Sequence, residues 1–424
     1  MNVLHVNSSD SVGGAAIAAY RIHSALRAAG VNSNMLVLDK RTNDEYVFTP
    51  PAKYFNYLNI VANKLSNQIL KLQNDNNEIY HSLNLFSMGL VKFINSSKYD
   101  IVNLHWINHE MISVSELRKI NKPVIWTLHD SWAFCGSEHH PMTENDNRYI
   151  DGYHSNNRMS GTGLDINKLV WQRKKKLWEN IPLHVITPSN WLHSCAQKSQ
   201  VFRDKEISTI HNCVNMNVYY PKNRISSRKR FGFSSDAFII IFGAYSGVSD
   251  KQKGGHIIEG VMDHLNTTLV DEKTEIVVFG HSGSQLDNRI TDVGFIKNDD
   301  DLASLYSAAD IFLLPSIKEN LPNTAVESIS CGTPVIAFNQ GGMSDIVEHM
   351  KTGYLATPYS IADLINGIDI FIQQQRSPND ISRELQKDCR ALAEQKFSAE
   401  NISSQYCSFY KNKISGNPKM APQK

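Results

Sequence analysis

The chain of 424 residues is long enough to bury two cores of ordinary domain size, and its 41% apolar and 20% charged content is that of a globular protein. Its 43 Lys and Arg nearly cancel 42 Asp and Glu, leaving +1, so there is no basic field for nucleic acid. Six scattered cysteines (135, 195, 213, 331, 389, 407) form no C-x-x-C pair and suit a reducing cytosol, and no apolar run of about 18 residues predicts a membrane span.

In chain order, Asn2 to Val6 reads as a buried strand, with no basic region and apolar stretch of a leader before it, so a cytoplasmic location is expected. A small-residue helix, Ala15 to Ala29, closes at Gly30. Between strand and helix lies SSDSVGG, a loop through which phosphate can approach a helix start. It carries only Gly13 and Gly14, and G-x-G-x-x-G is absent. Asp39, after the strand Met35 to Leu38, nonetheless stands roughly where a ribose-binding acid would in an NAD protein, which keeps an NAD-dependent oxidoreductase as an alternative. Residues 51–98 show helical spacing (Tyr54, Leu58, Val61, Leu65, Ile69, Leu72) and are expected to pack on a sheet. Strands Ile101 to His105 and Pro123 to His129 end in polar residues, at the strand ends where parallel sheets take ligands. His129, ahead of Asp130, reads either as a ligand contact or as a hydrogen-bonded core histidine.

Cys135 to Leu164 reads as a polar surface loop, whose Cys135, Glu138, His139, His140 and His154 match no standard zinc spacing. KLVWQRKKKLW (168–178) reads as a basic helix that either meets an anionic membrane surface or packs its aromatics on the sheet. Leu183 to Thr187 and Ile207 to Ile210 are further strands. The second half alternates again: strands at Ala237 to Gly243, Glu275 to Gly280 and Ile290 to Ile296, then a helix at Leu302 to Ala309.

Asp310 to Ala356 follows, DIFLLPSIKENLPNTAVESISCGTPVIAFNQGGMSDIVEHMKTGYLA. A strand (Ile311 to Leu314) leads through a polar turn to Pro322 as first helical residue; the helix runs to about Cys331 and Gly332 stops it. A strand (Pro334 to Phe338) and Gly341-Gly342 before a further helix complete the stretch. Glu319 and Glu327 bracket the helix start. Unpaired N–H groups there attract phosphate, whereas carboxylates repel it and accept hydrogen bonds from hydroxyl pairs. A nucleotide-diphosphate sugar has that layout, with phosphate in the middle and hydroxyls at both ends. From Ile361 the chain reads as helical through Phe397-Ser398 to Lys413, and the last nine residues, GNPKMAPQK, as an unstructured tail.

The 310–356 string resembles the donor-site signature of retaining glycosyltransferase family 4, whose architecture is called GT-B. The resemblance implies an α/β fold of two doubly wound, Rossmann-like domains facing a central cleft: an acceptor-side domain over 1–219, a donor domain over 220–396, and a crossover helix and tail over 397–424. HNCVN ahead of Tyr220-Pro221 is similar to the family's linker I-P-N-G-V-D. GGAAIAAYRIHSAL, WTLHDSWAFCG and the Lys-rich helix look closest to colanic-acid and O-antigen enzymes. Implied is a retaining hexosyltransferase of exopolysaccharide or O-antigen biosynthesis. It would move a sugar from a nucleotide-diphosphate donor to a hydroxyl of a lipid-linked glycan, with peripheral contact at the cytoplasmic face of the membrane.

By the same resemblance Glu319, His129 and Lys253 are the catalytic set. Gly13 and Gly14 lie against the diphosphate, Phe295 and Ile296 line the nucleobase pocket, and Asn320, Leu321, Pro322, Asn323 and Glu327 hold the donor. No cofactor or metal is expected, because the helix start, the glycine loop and Lys253 meet the diphosphate in place of an Asp-x-Asp site. Ala244 stands where the family has an Arg, with Lys251, Tyr245 or Ser246 as substitutes. A nucleotide-sugar epimerase and a non-catalytic nucleotide-sugar binder of the same fold are the other readings.

Overall fold

The computed structural model describes residues 1–50, 53–75, 77, 79–143, 145–243, 253–268, 274–280, 290–376 and 381–415. The chain divides into two compact units, Met1–His211 with Ile402–Lys424, and Asn212–Asn401.

The first unit is built on a seven-stranded sheet: β1 (Asn2–Ser9), β2 (Asn32–Asp39), β3 (Val47–Phe48), β4 (Ile101–Leu104), β5 (Val124–Thr127), β6 (Leu183–Thr187) and β7 (Glu206–Thr209). All pairings are parallel, in the order β3-β2-β1-β4-β5-β6-β7. The order reverses between β1 and β4, the kind of switch point outside which α/β sheets bind ligands. Leu4, Val6, Leu104, Trp126 and Val185 join one core cluster with Trp132, Trp178 and Phe202. On the sheet's other side the terminal helix Ala399–Ser415 buries Tyr406 and Tyr410. The Tyr410 hydroxyl accepts from the amide of Asn103 at 2.7 Å, and that of Tyr406 lies 3.2 Å from Thr127 Oγ1.

The second unit carries six parallel strands: β8 (Phe238–Gly243), β9 (Thr274–Phe279), β10 (Ile290–Asp292), β11 (Ile311–Leu314), β12 (Val335–Phe338) and β13 (Gly353–Ala356), ordered β10-β9-β8-β11-β12-β13. The FIIIFG run of β8 is apolar on both faces because both are covered: Ile239 and Ile241 join one cluster, Phe238, Ile240 and Phe242 the other. Here the order reverses between β8 and β11. Both units are doubly wound Rossmann-like sheets, as expected.

Three elements depart from the sequence reading. β10 stops at Asp292, whose carboxylate accepts from the Gly294 amide and turns the chain at a glycine with φ 68°, so residues 293–296 are loop. Helix Lys53–Lys71 forms, yet of the expected apolar stripe Val61, Leu65 and Leu72 are exposed and Ile69 packs only partly, while Ala62 and Ser66, off that stripe, are buried. Pro322 caps the helix Asn323–Ser330 in an extended conformation and is not its first residue. The tail 416–424 lies outside the described residues.

Candidate functional site

In the second unit the predicted residues gather at the β8/β11 switch point. The segment after β8 returns at Lys253-Gly254 and the segment after β11 carries Glu319; Lys253 Nζ lies 2.5 Å from Glu319 Oε1. The pair is unevenly exposed, with side chains 41% and 13% accessible, so the ammonium faces outward and the carboxylate is held within. Two glycines make this approach possible. A Cβ on Gly254 (φ 79°) would overlap the Pro315 carbonyl, and one on Gly341 (φ 58°) that of Glu319. The glycine pair at 341–342 thus does more than open a helix: it lies against the Glu319 turn, and the Gly342 amide points at the Glu319 carbonyl at 3.4 Å. Gln340 Nε2 donates to the Ser316 carbonyl at 2.5 Å. The buried Ser316 hydroxyl has no partner among the described residues, a polar group in the site that sequence reading passed over.

Asn320 and Leu321 are buried in the turn, and Asn323 Oδ1 accepts from the Asn212 amide at 3.3 Å. Glu327, one turn into the helix, is buried, and its Oε2 accepts from the Tyr306 hydroxyl at 3.2 Å. Tyr306 comes from the helix Asp299–Ala308 and packs on Phe279 and Phe312. Burial, and next the Glu327 charge, push its phenol well above the usual tyrosine range, so it remains a donor to that carboxylate. Sequence spacing offered no sign of this partner. Phe295 is 60% exposed just beyond β10, and Ile296 packs partly on the core. Lys251, Tyr245 and Ser246, the substitutes for the missing Arg, lie outside the described residues.

In the first unit, Gly13 (φ 86°) caps the helix Gly14–Ala28 in a conformation that favours glycine. The preceding loop is tied down by Asp10, which accepts from the amides of Arg41 and Thr42, each at 2.9 Å, and from the Thr42 hydroxyl at 2.7 Å. Asp39 is half exposed and engaged by Arg41 Nε at 2.8 Å. His129 stands just past β5, where its Nε2 lies 3.0 Å from His105 Nδ1, and His105 Nε2 lies 2.8 Å from His5 Nδ1. Its neighbour Asp130 accepts from Trp106 Nε1 at 2.9 Å and pairs with His139 at 2.6 Å. Although burial works against it, the charge of His139 holds the Asp130 carboxyl down at about 2.

Of the stretch Cys135 to Leu164, expected as a polar surface loop, the part from His154 to Leu164 is exposed or half-buried, but the part up to His139 is not a surface loop. Ser131 to His139 are buried, with internal partners for most of their polar groups and Glu138 Oε2 left without one among the described residues. Glu138 accepts from the Tyr153 hydroxyl at 2.5 Å and pairs with Arg148 at 3.3 Å, and Arg148 also grips Asp146 at 2.7 Å. The basic helix, Ile166–Trp178, turns Trp171 and Trp178 into the core, with Lys174 between them. Lys174 is fully buried; its ammonium donates to the carbonyls of Trp132 and Gly136, the latter at 2.6 Å, and sits 3.7 Å from the Trp132 ring centre. It therefore cannot meet a membrane surface. Burial brings its pKa down to about 7 despite nearby acidic groups. Among the described residues no group of three His, Cys, Asp or Glu side chains is placed to hold a metal ion, and no helix is long and apolar enough to cross a membrane.

Residues 12–218 match the family described as Glycosyltransferase Family 4, and residues 225–388 match Glycosyl transferases group 1. N-acetyl-alpha-D-glucosaminyl L-malate synthase of Bacillus anthracis is 26% identical over 217 residues, 49% of this chain and 54% of that protein. D-inositol 3-phosphate glycosyltransferase of Paenarthrobacter aurescens is 26% identical over 215 residues, 48% and 51% of the two chains. The chain spans about half the length of these curated relatives. Sucrose-phosphate synthase of Thermosynechococcus elongatus shares the fold at a TM-score of 0.66 and 18% identity, over 98% of this chain and 100% of its own. Anabaena HepE, solved with UDP and glucose, does so at 0.62 and 18%, over 97% and 99%. With the donor-site string at one switch point and adjoining family matches along most of its length, the chain belongs to glycosyltransferase family 4, in the GT-B architecture.

Proposed function

We propose that this protein is a retaining hexosyltransferase that moves a sugar from a nucleotide-diphosphate sugar to a hydroxyl of a lipid-linked glycan during assembly of a bacterial surface polysaccharide. The observation that carries the donor part is the Lys253–Glu319 pair beside the helix Asn323–Ser330, with a second carboxylate, Glu327, in that helix. A cation and a helix start favour the diphosphate, and the carboxylates favour the hydroxyls of sugar and ribose. Anabaena HepE, which shares the fold, was solved with UDP and with UDP-glucose, in keeping with such a donor.

In this reading Glu319 orients the transferred sugar and Glu327, steadied by Tyr306, binds the ribose. Gly13 and Gly14 serve the diphosphate, Phe295 and Ile296 the nucleobase, and His129 the sugar. With both carboxylates committed to hydroxyls, neither is left to attack the anomeric carbon from its far side. A same-face route then follows: the departing phosphate oxygen takes the acceptor's proton while the helix start and Lys253 stabilise its growing charge. No metal is needed for that step. A thermal-shift panel of UDP-, GDP- and ADP-sugars tests donor binding, since a ligand at a hundred times its Kd adds about 2.7 kcal/mol. Product NMR tests the stereochemistry, and an inverted linkage ends the retaining assignment. Conversion of donor without acceptor favours an epimerase; binding without turnover favours a non-catalytic binder.

A further inference from the structure

We propose that His5 and His105 are positioning residues that hold His129 in the tautomer carrying its proton on Nδ1. The three rings climb one face of the first sheet across its switch point. His5 in β1 pairs in register with Asn103 of β4, and Asn103 with Ile125 of β5. His105 therefore stands two residues beyond the position opposite His5, and His129 two beyond the position opposite His105. Each step moves one strand over and two residues toward the carboxyl end, and neighbouring rings stack with centroids 5.1 and 5.2 Å apart.

Counting protons fixes the direction of this chain. All three rings are neutral: burial, and next the charge of neighbouring histidines, holds His5 and His105 well below the ordinary histidine range, and burial takes His129 to about 4 against the opposing pull of Asp130. Three neutral imidazoles carry three N–H groups. Each N···N contact, 2.8 Å between His5 and His105 and 3.0 Å between His105 and His129, consumes one. The third N–H lies at one end, either on His5 Nε2 or on His129 Nδ1. His5 is fully buried in mid-strand and its Nε2 has no partner among the described residues. A buried N–H donor without an acceptor is the costlier orphan, whereas a bare ring nitrogen there forfeits less. The proton therefore lies at the outer end: His5 donates to His105, His105 donates to His129 Nε2, and His129 presents Nδ1–H at the strand end. Its use there, as a donor to a sugar or phosphate oxygen, rests on the function proposed above; the tautomer itself does not.

The test is two-bond 1H–15N spectroscopy of the full chain with 15N-labelled histidine at pH 7.5, assigned by the signals lost in His129→Gln. Expected is a pyrrole-type Nδ1 and a pyridine-type Nε2 for His129. His105→Phe should abolish that preference, and His105→Gln, whose amide can donate to Nε2, should keep it. A pyridine-type Nδ1 in the parent protein, or an unchanged spectrum in a folded His105→Phe, overturns the proposal, and the parent spectrum decides even if the variant does not fold. Turnover separates the two readings. If His129 serves the sugar, His105→Phe loses kcat with little change in KM and His105→Gln recovers it. A changed spectrum with unchanged turnover retains the tautomer and refutes the role of His129 in transfer.

Discussion

Replacing Lys253 with Ala examines the donor site through one charge. A hydrogen bond from the ammonium to a phosphate is worth roughly 1.5–3 kcal/mol. The lysine does not start uncommitted, because before the donor arrives it pairs with Glu319 at 2.5 Å, with 41% of its side chain accessible. A pair so exposed is worth only about 0.2–1 kcal/mol. Subtracting the second range from the first, near their centres, leaves about 1.6 kcal/mol, or roughly a 15-fold rise in Kd at about 1.4 kcal/mol per decade. Calorimetric titration with the best nucleoside diphosphate of the panel, at fixed ionic strength, measures it. Glu319→Gln is the companion: with the lysine released, the diphosphate without its sugar should bind as tightly as before or up to about fivefold tighter. Unchanged affinity in Lys253→Ala refutes the assignment, and weakened diphosphate binding in Glu319→Gln refutes the competition between carboxylate and phosphate.

Glu319→Ala should lower kcat by misorienting the sugar, whereas Glu327→Ala should chiefly raise the donor KM, because ribose contacts are alike in ground and transition states; steady-state kinetics that reverse this division would reject both roles. Donor turnover should survive EDTA, and activity that collapses in chelator and returns with Mn²⁺ would contradict a metal-free site. His5, His23, His105 and His129 all have folded pKa values below the unfolded value of about 6.5, so the unfolded chain binds more protons there and stability should fall as pH drops below about 6.5, each group contributing up to about 1.4 kcal/mol per pH unit. Urea melts between pH 7 and 5 check this, and His105→Gln should flatten the slope by about one proton. Lys174→Gln should destabilise the fold by about 1–3 kcal/mol by stranding buried carbonyls, while Lys175→Gln with Lys176→Gln should be near neutral in the same melts. Only the latter pair can alter binding to anionic vesicles.

What the sequence declared, it declared through backbone punctuation. Pro315, Pro322, Gly332 and Gly341-Gly342 mark where strand becomes helix and helix becomes strand, and the Lys253–Glu319 meeting follows once both segments leave adjacent strands at a reversal of order. Side-chain destinations were harder to read. Three consecutive lysines look like a solvated face, yet Trp171, Lys174 and Trp178 are spaced three and four apart and so share one side of a helix, and a mixed aromatic and basic stripe was the signal that Lys174 turns inward. Tyr306 and Glu327 are partners across 21 residues, and His5 and His105 across 100, so no local pattern announces either. Only the third dimension relates them.

The terminal helix gives the chain an unusual order of manufacture. The first unit's sheet is synthesised early, but Tyr406 and Tyr410, which meet Asn103 and Thr127, arrive only after the whole stretch Asn212–Asn401 has been made. At about 5–20 residues per second, those 190 residues (401 − 211) keep the ribosome busy for roughly 10–40 s. Throughout that interval Asn103 and Thr127 on the first unit's sheet lack their tyrosine partners, while the second unit is itself still being made. The part begun first is the part finished last.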